Sequence, residues 1–416
     1  MSSLTSPSTS SPVIDPEGST LSRRLTTLLA LACGVGVANI YFPQAITPLI
    51  AAGLRVSRAS AALAVTGSQL GYAVGIFLLL PLGDRLVHRR FIPCLLTITA
   101  LGLILAGLAP SLPVLLAATL IIGAATVVPQ VIIPMAAGLV AEDRRGHVTG
   151  VLLSGLIGGI LLARAFSGLL GQWLGWRAPY LVAACAVLAL AVALARTLPR
   201  TRPTSSQRYP QLVIESLRLL RAEPELRRSC LYQATIFAAF NAAWTTIALY
   251  LTAPAYGLGT SAVGLIALVG AGSMCATPAV GRRIDSHGPD GVNLIAILGA
   301  IAAAAVLALG DVRGPLGLAA LTAGMLLLDV AMQSGQVANQ MRVFGLRPDA
   351  RARLNTAYMT CAFLGGSAGS LLGVRAYDSV GWLGVCGLIA VLSAIALARH
   401  LAHQAHSRHR RSSQSR

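Results

Sequence analysis

Apolar residues in this chain gather into long continuous runs, separated by short clusters of Arg, Gly, Pro and Ser. A bilayer core needs about 20 consecutive apolar residues to be crossed as a helix. Runs of that kind are predicted at about 25–50, 60–82, 91–110, 113–139, 148–171 and 178–197, and again at about 229–253, 261–281, 292–310, 316–342, 354–376 and 381–399. Alternation with a period of two, the mark of a membrane-spanning strand, does not organise these runs. The expected fold class is an all-α membrane protein with twelve transmembrane helices.

One run departs from the rest. The segment 316–342 is long enough to span, yet it carries Asp329, Gln333, Gln336 and Gln340. At about 100° per residue these four fall within about 60° of one another on a helix. Asp329 stands near the middle, where an ionised carboxylate is costly unless it faces a wet cavity or a partner. A polar stripe at that depth reads as the lining of a path.

Composition agrees with the pattern. Hydrophobic residues make up 55% of the chain and charged residues 11%, with a mean hydropathy of +0.72, which excludes a single soluble core. The net charge is +18, and all 32 basic residues are Arg, so no lysine is available for Schiff-base chemistry. The arginines are scattered over many short loops, which argues for an anionic membrane surface and against nucleic acid. The seven cysteines fall in or beside apolar runs without CxxC spacing and read as small core residues.

The arginines also orient the chain. Arg85, Arg89 and Arg90, then Arg144 and Arg145, then Arg282 and Arg283, then Arg347, Arg351 and Arg353 all fall on one side, with Arg55, Arg58, Arg177 and Arg313 on the other. The positive-inside rule puts both termini in the cytoplasm of a cell inner membrane. Residues 1–20 are expected as a disordered cytoplasmic tail, 21–197 as the first six-helix bundle, and 198–228 as a cytoplasmic linker. Within that linker Leu212, Ser216, Leu217 and Leu220 share one face of an amphipathic helix. Residues 229–400 form the second bundle and 401–416 a basic cytoplasmic tail. No His falls within a predicted span, so no histidine relay is expected.

The two bundles repeat. One constant offset lays Gln130 on Gln336, Asp143 on Asp349, Arg145 on Arg351, Gly159 on Gly365 and Gly175-Trp176 on Gly381-Trp382. A slightly shorter one lays Ser60 on Ser261, Gly71 on Gly272 and Asp84 on Asp285. Two pseudo-symmetric six-helix repeats with a site between them follow. The positions that match Asp329, Gln333 and Gln340 are Gly123, Val127 and Pro134, so the polar chemistry is loaded into the second half.

After the second span stands Gly83-Asp84-Arg85-Leu86-Val87-His88-Arg89-Arg90, and at the matching place Gly281-Arg282-Arg283-Ile284-Asp285-Ser286-His287-Gly288. Together with Asn39-Ile40-Tyr41-Phe42-Pro43-Gln44, Gln69-Leu70-Gly71-Tyr72 and Arg351-Ala352-Arg353-Leu354-Asn355-Thr356, the chain resembles the major facilitator superfamily, in its bacterial efflux-permease branch. That resemblance implies a major facilitator fold, transport by alternating access, and a cytoplasmic latch built from Asp84, Arg85, Arg89, Arg90, Asp285, Arg145 and Arg351. The first loop copy departs from the family pattern at Leu80, Val87 and His88. Antiporters of the superfamily also carry a Gly-Pro pair in span five, where this chain has Gly150, Gly155, Gly158, Gly159, Gly168 and Gly171 but no Pro. Glycines at this spacing also let helices approach closely.

The candidates for proton coupling are Asp329, the one acid placed deep in a span, and Arg164, which either snorkels outward or faces the cavity. In the cavity Arg164 would pair with Asp329 or offer a planar fork to an anionic or carbonyl-bearing substrate. The substrate-cavity candidates are Asn39, Tyr41, Gln44, Gln69, Tyr72, Gln130, Gln233, Asn241, Trp244, Gln333, Gln336, Gln340 and Asn355, with Asn339 beside them. Each of these is equally suited to a helix-to-helix hydrogen bond. His400, His403, His406 and His409 recur every third residue in an Arg-rich segment without carboxylates, a solvated tail rather than a metal site.

No P-loop, GxSxG, HExxH or dinucleotide fingerprint is present, so neither an enzyme nor an ATP-driven pump is expected, and no cofactor or metal is implied. The expected function is secondary active efflux of a small organic compound in exchange for protons. A uniporter or importer of the same fold, or a non-transporting membrane sensor, is the alternative. The expected partners are a small-molecule substrate, the proton and the lipid bilayer, with the chain acting as a monomer.

Overall fold

The computed structural model describes residues 21–199, 207–270, 277–347 and 350–414, apart from the side chains at 142, 277–287 and 406–414. The first half comprises α1 (Arg23–Ala38), α2 (Phe42–Leu54), α3 (Arg58–Leu78), the single turn α4 (Leu80–Gly83), α5 (His88–Gly107), α6 (Leu112–Ala125), α7 (Val128–Gly138), α8 (Glu142–Leu174) and α9 (Ala178–Thr197). After the linker helix α10 (Tyr209–Ala222), the second half comprises α11 (Pro224–Leu251), α12 (Thr260–Gly270), α13 (Thr277–Ala308), α14 (Gly314–Leu346), α15 (Arg351–Val380) and α16 (Trp382–Gln414). Among the described residues eleven helices are long and apolar enough to cross a membrane, with α1 and α2 counted as one and α6 and α7 as another. The shorter apolar α12 stands where the eighth span is expected, and residues 271–276 of the predicted span lie outside the described residues.

Proline and glycine set the breaks. Asn39–Tyr41 forms a 3-10 turn ahead of Pro43, and Thr126 and Val127 part α6 from α7 ahead of Pro129. Proline lacks the amide donor that would continue the preceding helix, so both spans break near mid-membrane. Within α13 the chain turns at Gly288, whose φ of 75° suits glycine, and Pro289 starts the next helical stretch. That is the physical role of the one glycine that closes the second loop motif. Asp285 of that motif lies outside the described side chains.

Two expectations need correction. Residues 401–416 are not a separate tail at their start, because α16 continues through Ala405 and on to Gln414. Histidine does enter the spans: His88 opens α5, and His400 is fully buried in α16 between the Tyr232 hydroxyl (3.4 Å) and Gln404 (2.9 Å).

Each half closes around small residues. In the first, α1 runs against α8 so tightly that a Cβ on Gly159 would stand 2.2 Å from the Gly34 carbonyl oxygen. In the second, α11 and α15 make the same approach. We expect Gly159→Leu to lower the melting temperature of the detergent-solubilised protein by several degrees, overpacking of this kind costing about 1–3 kcal/mol. Gly158→Ala, where nothing lies within 4 Å, is the control and leaves it unchanged.

The halves meet along α3 with α15, α8 with α12, and α2 with α11. At the end of the bundle away from the linker the seam is tight. Thr260 Oγ1 donates to the Gly168 carbonyl (3.0 Å) and the Ser261 amide to Gln172 Oε1 (2.8 Å), while nearer the middle of the bundle Ser367 Oγ donates to the Thr66 carbonyl (3.2 Å). A Cβ on Gly168 would reach within 2.7 Å of the Thr260 oxygen. At the linker end α10 bridges the halves with polar contacts: Tyr209 Oη donates to the Leu78 carbonyl (2.9 Å), while Arg353 pairs with Glu215 (2.8 Å). The face that α10 turns inward carries Leu212, Ser216 and Leu219, whereas Leu217 is exposed, because α10 packs on α11, α15 and α4.

Candidate functional site

α11 is apolar and small enough at most positions to be buried along nearly its whole length. It therefore holds Asn241 and Trp244 at the centre of the bundle. α14 brings Asp329 to the same place from its polar stripe, and α8 brings Arg164 from the opposite half. Both charges are enclosed, with Asp329 2% and Arg164 1% exposed.

Trp244 joins them. Its Nε1–H donates to Asp329 Oδ1 at 2.9 Å, and the Arg164 guanidinium lies over its ring, 4.2 Å from the centroid. Asp329 and Arg164 attract each other across this ring rather than through a direct fork-to-carboxylate contact. Tyr41 and Phe240 add two further faces, at 4.9 and 5.4 Å. An arginine among three aromatic faces keeps its charge with little water, since ring quadrupoles attract the cation. Snorkelling does not occur.

The chain of contacts continues into the first half. Arg164 Nε donates to Gln44 Oε1 (2.7 Å), and Gln44 Nε2 donates to Asn241 Oδ1 (3.0 Å). Gln44 reaches this point because it sits in the first turn after the α1–α2 break. Arg164 Nη2 has no hydrogen-bond acceptor in the protein. The result is a buried relay, Asp329–Trp244–Arg164–Gln44–Asn241, in which two residues of one half interlock with three of the other. It can hold a mobile proton on the carboxyl group and offer a donor to a guest.

Other predicted residues lie around this relay. Asn39 Nδ2 donates to the Gly36 carbonyl (3.0 Å) and leaves its oxygen unpartnered; Gln69 is fully buried with neither amide atom partnered. Gln130 donates to the Tyr72 hydroxyl (3.4 Å), and Tyr72 meets Phe363 edge-on across the halves at 4.4 Å. Lower in the second half Gln233 is buried against Met332, and Gln340 donates to Asn355 Oδ1 (3.3 Å). Gln333 and Gln336 are half-buried on the same stripe. Asn339 is not at the cavity centre, since it bonds Asn293 (2.9 Å) and its own helix.

Of the predicted latch residues, Asp285 lies outside the described side chains. Arg89 donates to the Ala195 carbonyl (3.3 Å) in its own half, Arg351 to the Phe344 carbonyl (3.1 Å), and Arg85, Arg90 and Arg145 are exposed. Arg353, two positions after the predicted Arg351, acts on Asp84 from across the halves. Burial raises the Asp84 carboxyl above its ordinary range, and the Arg353 charge offsets part of that. A raised carboxyl makes the folded state bind the proton more tightly, so this group stabilises the fold in acid and loses that contribution as pH rises. We expect Asp84→Asn to melt slightly higher than the native chain at pH 7, with the gap closing in acid.

A second charged cluster was not foreseen. Arg228 of α11, buried, and Arg342 of α14, half-buried, share Asp290 and Glu225. Arg228 lies 3.1 Å from Asp290 and Arg342 lies 3.8 Å from Glu225. These residues sit at predicted loop and helix ends, where a charge reads as solvated, and only the fold shows that they tie α11, α13 and α14 together.

Residues 27–370 match the sequence model of the Major Facilitator Superfamily. The chain is 36% identical over 380 residues to the uncharacterized transporter YgaY of Escherichia coli O157:H7, covering 91% of this chain and 95% of that one. It is 31% identical over 263 residues to the chloramphenicol resistance protein of Streptomyces lividans, covering 62% of this chain and 66% of that one. Among solved structures the nucleoside transporter NupG superposes with a TM-score of 0.73 at 16% identity, over 91% of this chain and 98% of that chain, which shows a shared fold. On the family model, the long relative and the fold together, this membrane protein of two helical halves belongs to the Major Facilitator Superfamily.

Proposed function

We propose that this transporter exports a small amphipathic organic compound in exchange for protons by alternating access, with the linker end facing the cytoplasm of the inner membrane. The observation that carries the reading is the buried relay from Asp329 through Trp244 to Arg164 and Gln44, because it couples a protonatable group to the interface on which the halves must rock. The tight seam at the far end and the polar bridges at the linker end suit a state closed outward. Export is supported by the name of the Streptomyces lividans relative, and chloramphenicol is accordingly the first probe.

Cells expressing the chain are expected to hold less labelled chloramphenicol, or less of a second amphipathic aromatic from a panel, than cells without it. A protonophore is expected to erase the difference. Higher accumulation in expressing cells across the panel would overturn export.

Import is the second reading, and one observation favours it. Arg164 Nη2 is an enclosed donor without an acceptor, which suits a guest that brings an anionic or carbonyl oxygen and travels with the proton rather than against it.

A further inference from the structure

The repeat extends to the contacts between helices. In the first half, Ala30 and Gly34 of α1 face Gly155 and Gly159 of α8. A Cβ at Gly155 would stand 2.4 Å from the Ala30 carbonyl oxygen, and one at Gly159 would stand 2.2 Å from that of Gly34. In the second half Ala234, Ala238 and Ala242 of α11 face Gly365, Gly369 and Gly373 of α15. There a Cβ would stand 2.3 and 2.1 Å from the Ala234 and Ala238 oxygens, and 2.7 Å from the Ala242 Cα. Both ladders advance by four residues on each helix, close to one turn.

One further turn toward the linker end brings Cys230 of α11 opposite Cys361 of α15. This pair stands where the first half has Ala30 and Gly155, a rung where the backbones touch. The two side chains are neighbours across the rung. Cys230 is buried and Cys361 partly accessible. Nothing in the proton relay or the latch uses either of them.

We propose that Cys230 and Cys361 are a redox-active dithiol that a peroxide closes into a disulfide, stapling α11 to α15 within the second half. Parallel helices one turn from a backbone contact bring the two Cα atoms into the range a disulfide spans, about 4.4–6.8 Å. The accessible Cys361 thiolate attacks one oxygen of hydrogen peroxide; the O–O bond breaks, the leaving hydroxide takes a proton to become water, and Cys361 becomes a sulfenic acid. Cys230 then attacks the Cys361 sulfur and displaces the hydroxyl, which leaves as a second water with the Cys230 proton. Two thiols lose two electrons in all and the peroxide gains two. The staple lies beside Gln233 and Tyr358, three residues away on each helix, so it fixes the wall of the second half that carries the cavity candidates.

The test uses the full-length protein in detergent, reduced, exposed to hydrogen peroxide, blocked with N-ethylmaleimide and digested for mass analysis. The expected product is one joined peptide pair through Cys230 and Cys361, lighter by two hydrogens and separated by dithiothreitol, while the exposed Cys94 and Cys185 are found alkylated. In Cys230→Ala, Cys361 is expected to stop at a sulfenic acid that dimedone traps. In Cys361→Ala, the buried Cys230 is expected to stay reduced, and this second variant puts a small residue where the first half has glycine. Recovery of wild-type Cys230 as the free thiol beside a Cys361 sulfinic acid, or joined peptides through other cysteines, would overturn the proposal.

Discussion

Asp329→Asn is expected to lower gradient-driven transport in proteoliposomes by about tenfold or more, since couplings between two sites are worth about 1–3 kcal/mol. Substrate counterflow without a gradient is expected to persist. Asparagine keeps the shape and retains an oxygen for the Trp244 indole N–H, so the packing around Gly270 and Trp244 is preserved. What it loses is the exchangeable proton and the charge that answers Arg164. A variant that was merely unstable would lose counterflow together with driven transport, which makes the pair of assays decisive. Equal loss of both would assign Asp329 a structural role instead.

Arg164→Lys is expected to abolish transport and lower the melting temperature by several degrees. Lysine keeps the charge but not the planar fork, so the bond to Gln44 Oε1 and the stacking on Trp244 are lost together. A hydrogen bond to a charged group contributes about 1.5–3 kcal/mol, and a desolvated cation–π contact about 2 kcal/mol. Arg164→Met leaves Asp329 enclosed without its counter-charge and is expected to be less stable still. Combining Arg164→Met with Asp329→Asn removes both charges and is expected to recover folding without recovering transport. Breaking a buried pair costs more than replacing it whole. If the double variant melted at the sum of the two single losses, the charges would not be coupled through Trp244.

The residues that could be read in advance share a physical reason. Asp329 and the glutamines of α14 are visible because a polar side chain inside a spanning run contradicts its surroundings. Arg164 is visible for the same reason, but its direction is not, since a long side chain reaches either the interface or the interior. Trp244 is the reverse case. An aromatic in an apolar run contradicts nothing, so its place between the two charges emerges only when α8, α11 and α14 are set side by side. The breaks at Asn39–Tyr41 and Thr126–Val127 follow from Pro43 and Pro129, yet their consequence, Gln44 swung under Arg164, is tertiary. Arg228, Arg342 and Arg353 escaped for the simplest reason. Charges at helix ends look solvated until another helix covers them.

In the proposed mechanism Asp329 takes up and releases a proton while held by Trp244. The most direct measurement needs no substrate: the fluorescence of Trp244, isolated by subtracting the Trp244→Phe variant from the native protein, followed against pH. A single-proton titration of that signal is expected, and it disappears in Asp329→Asn. A signal flat across the pH range, or the same titration in Asp329→Asn, would contradict it.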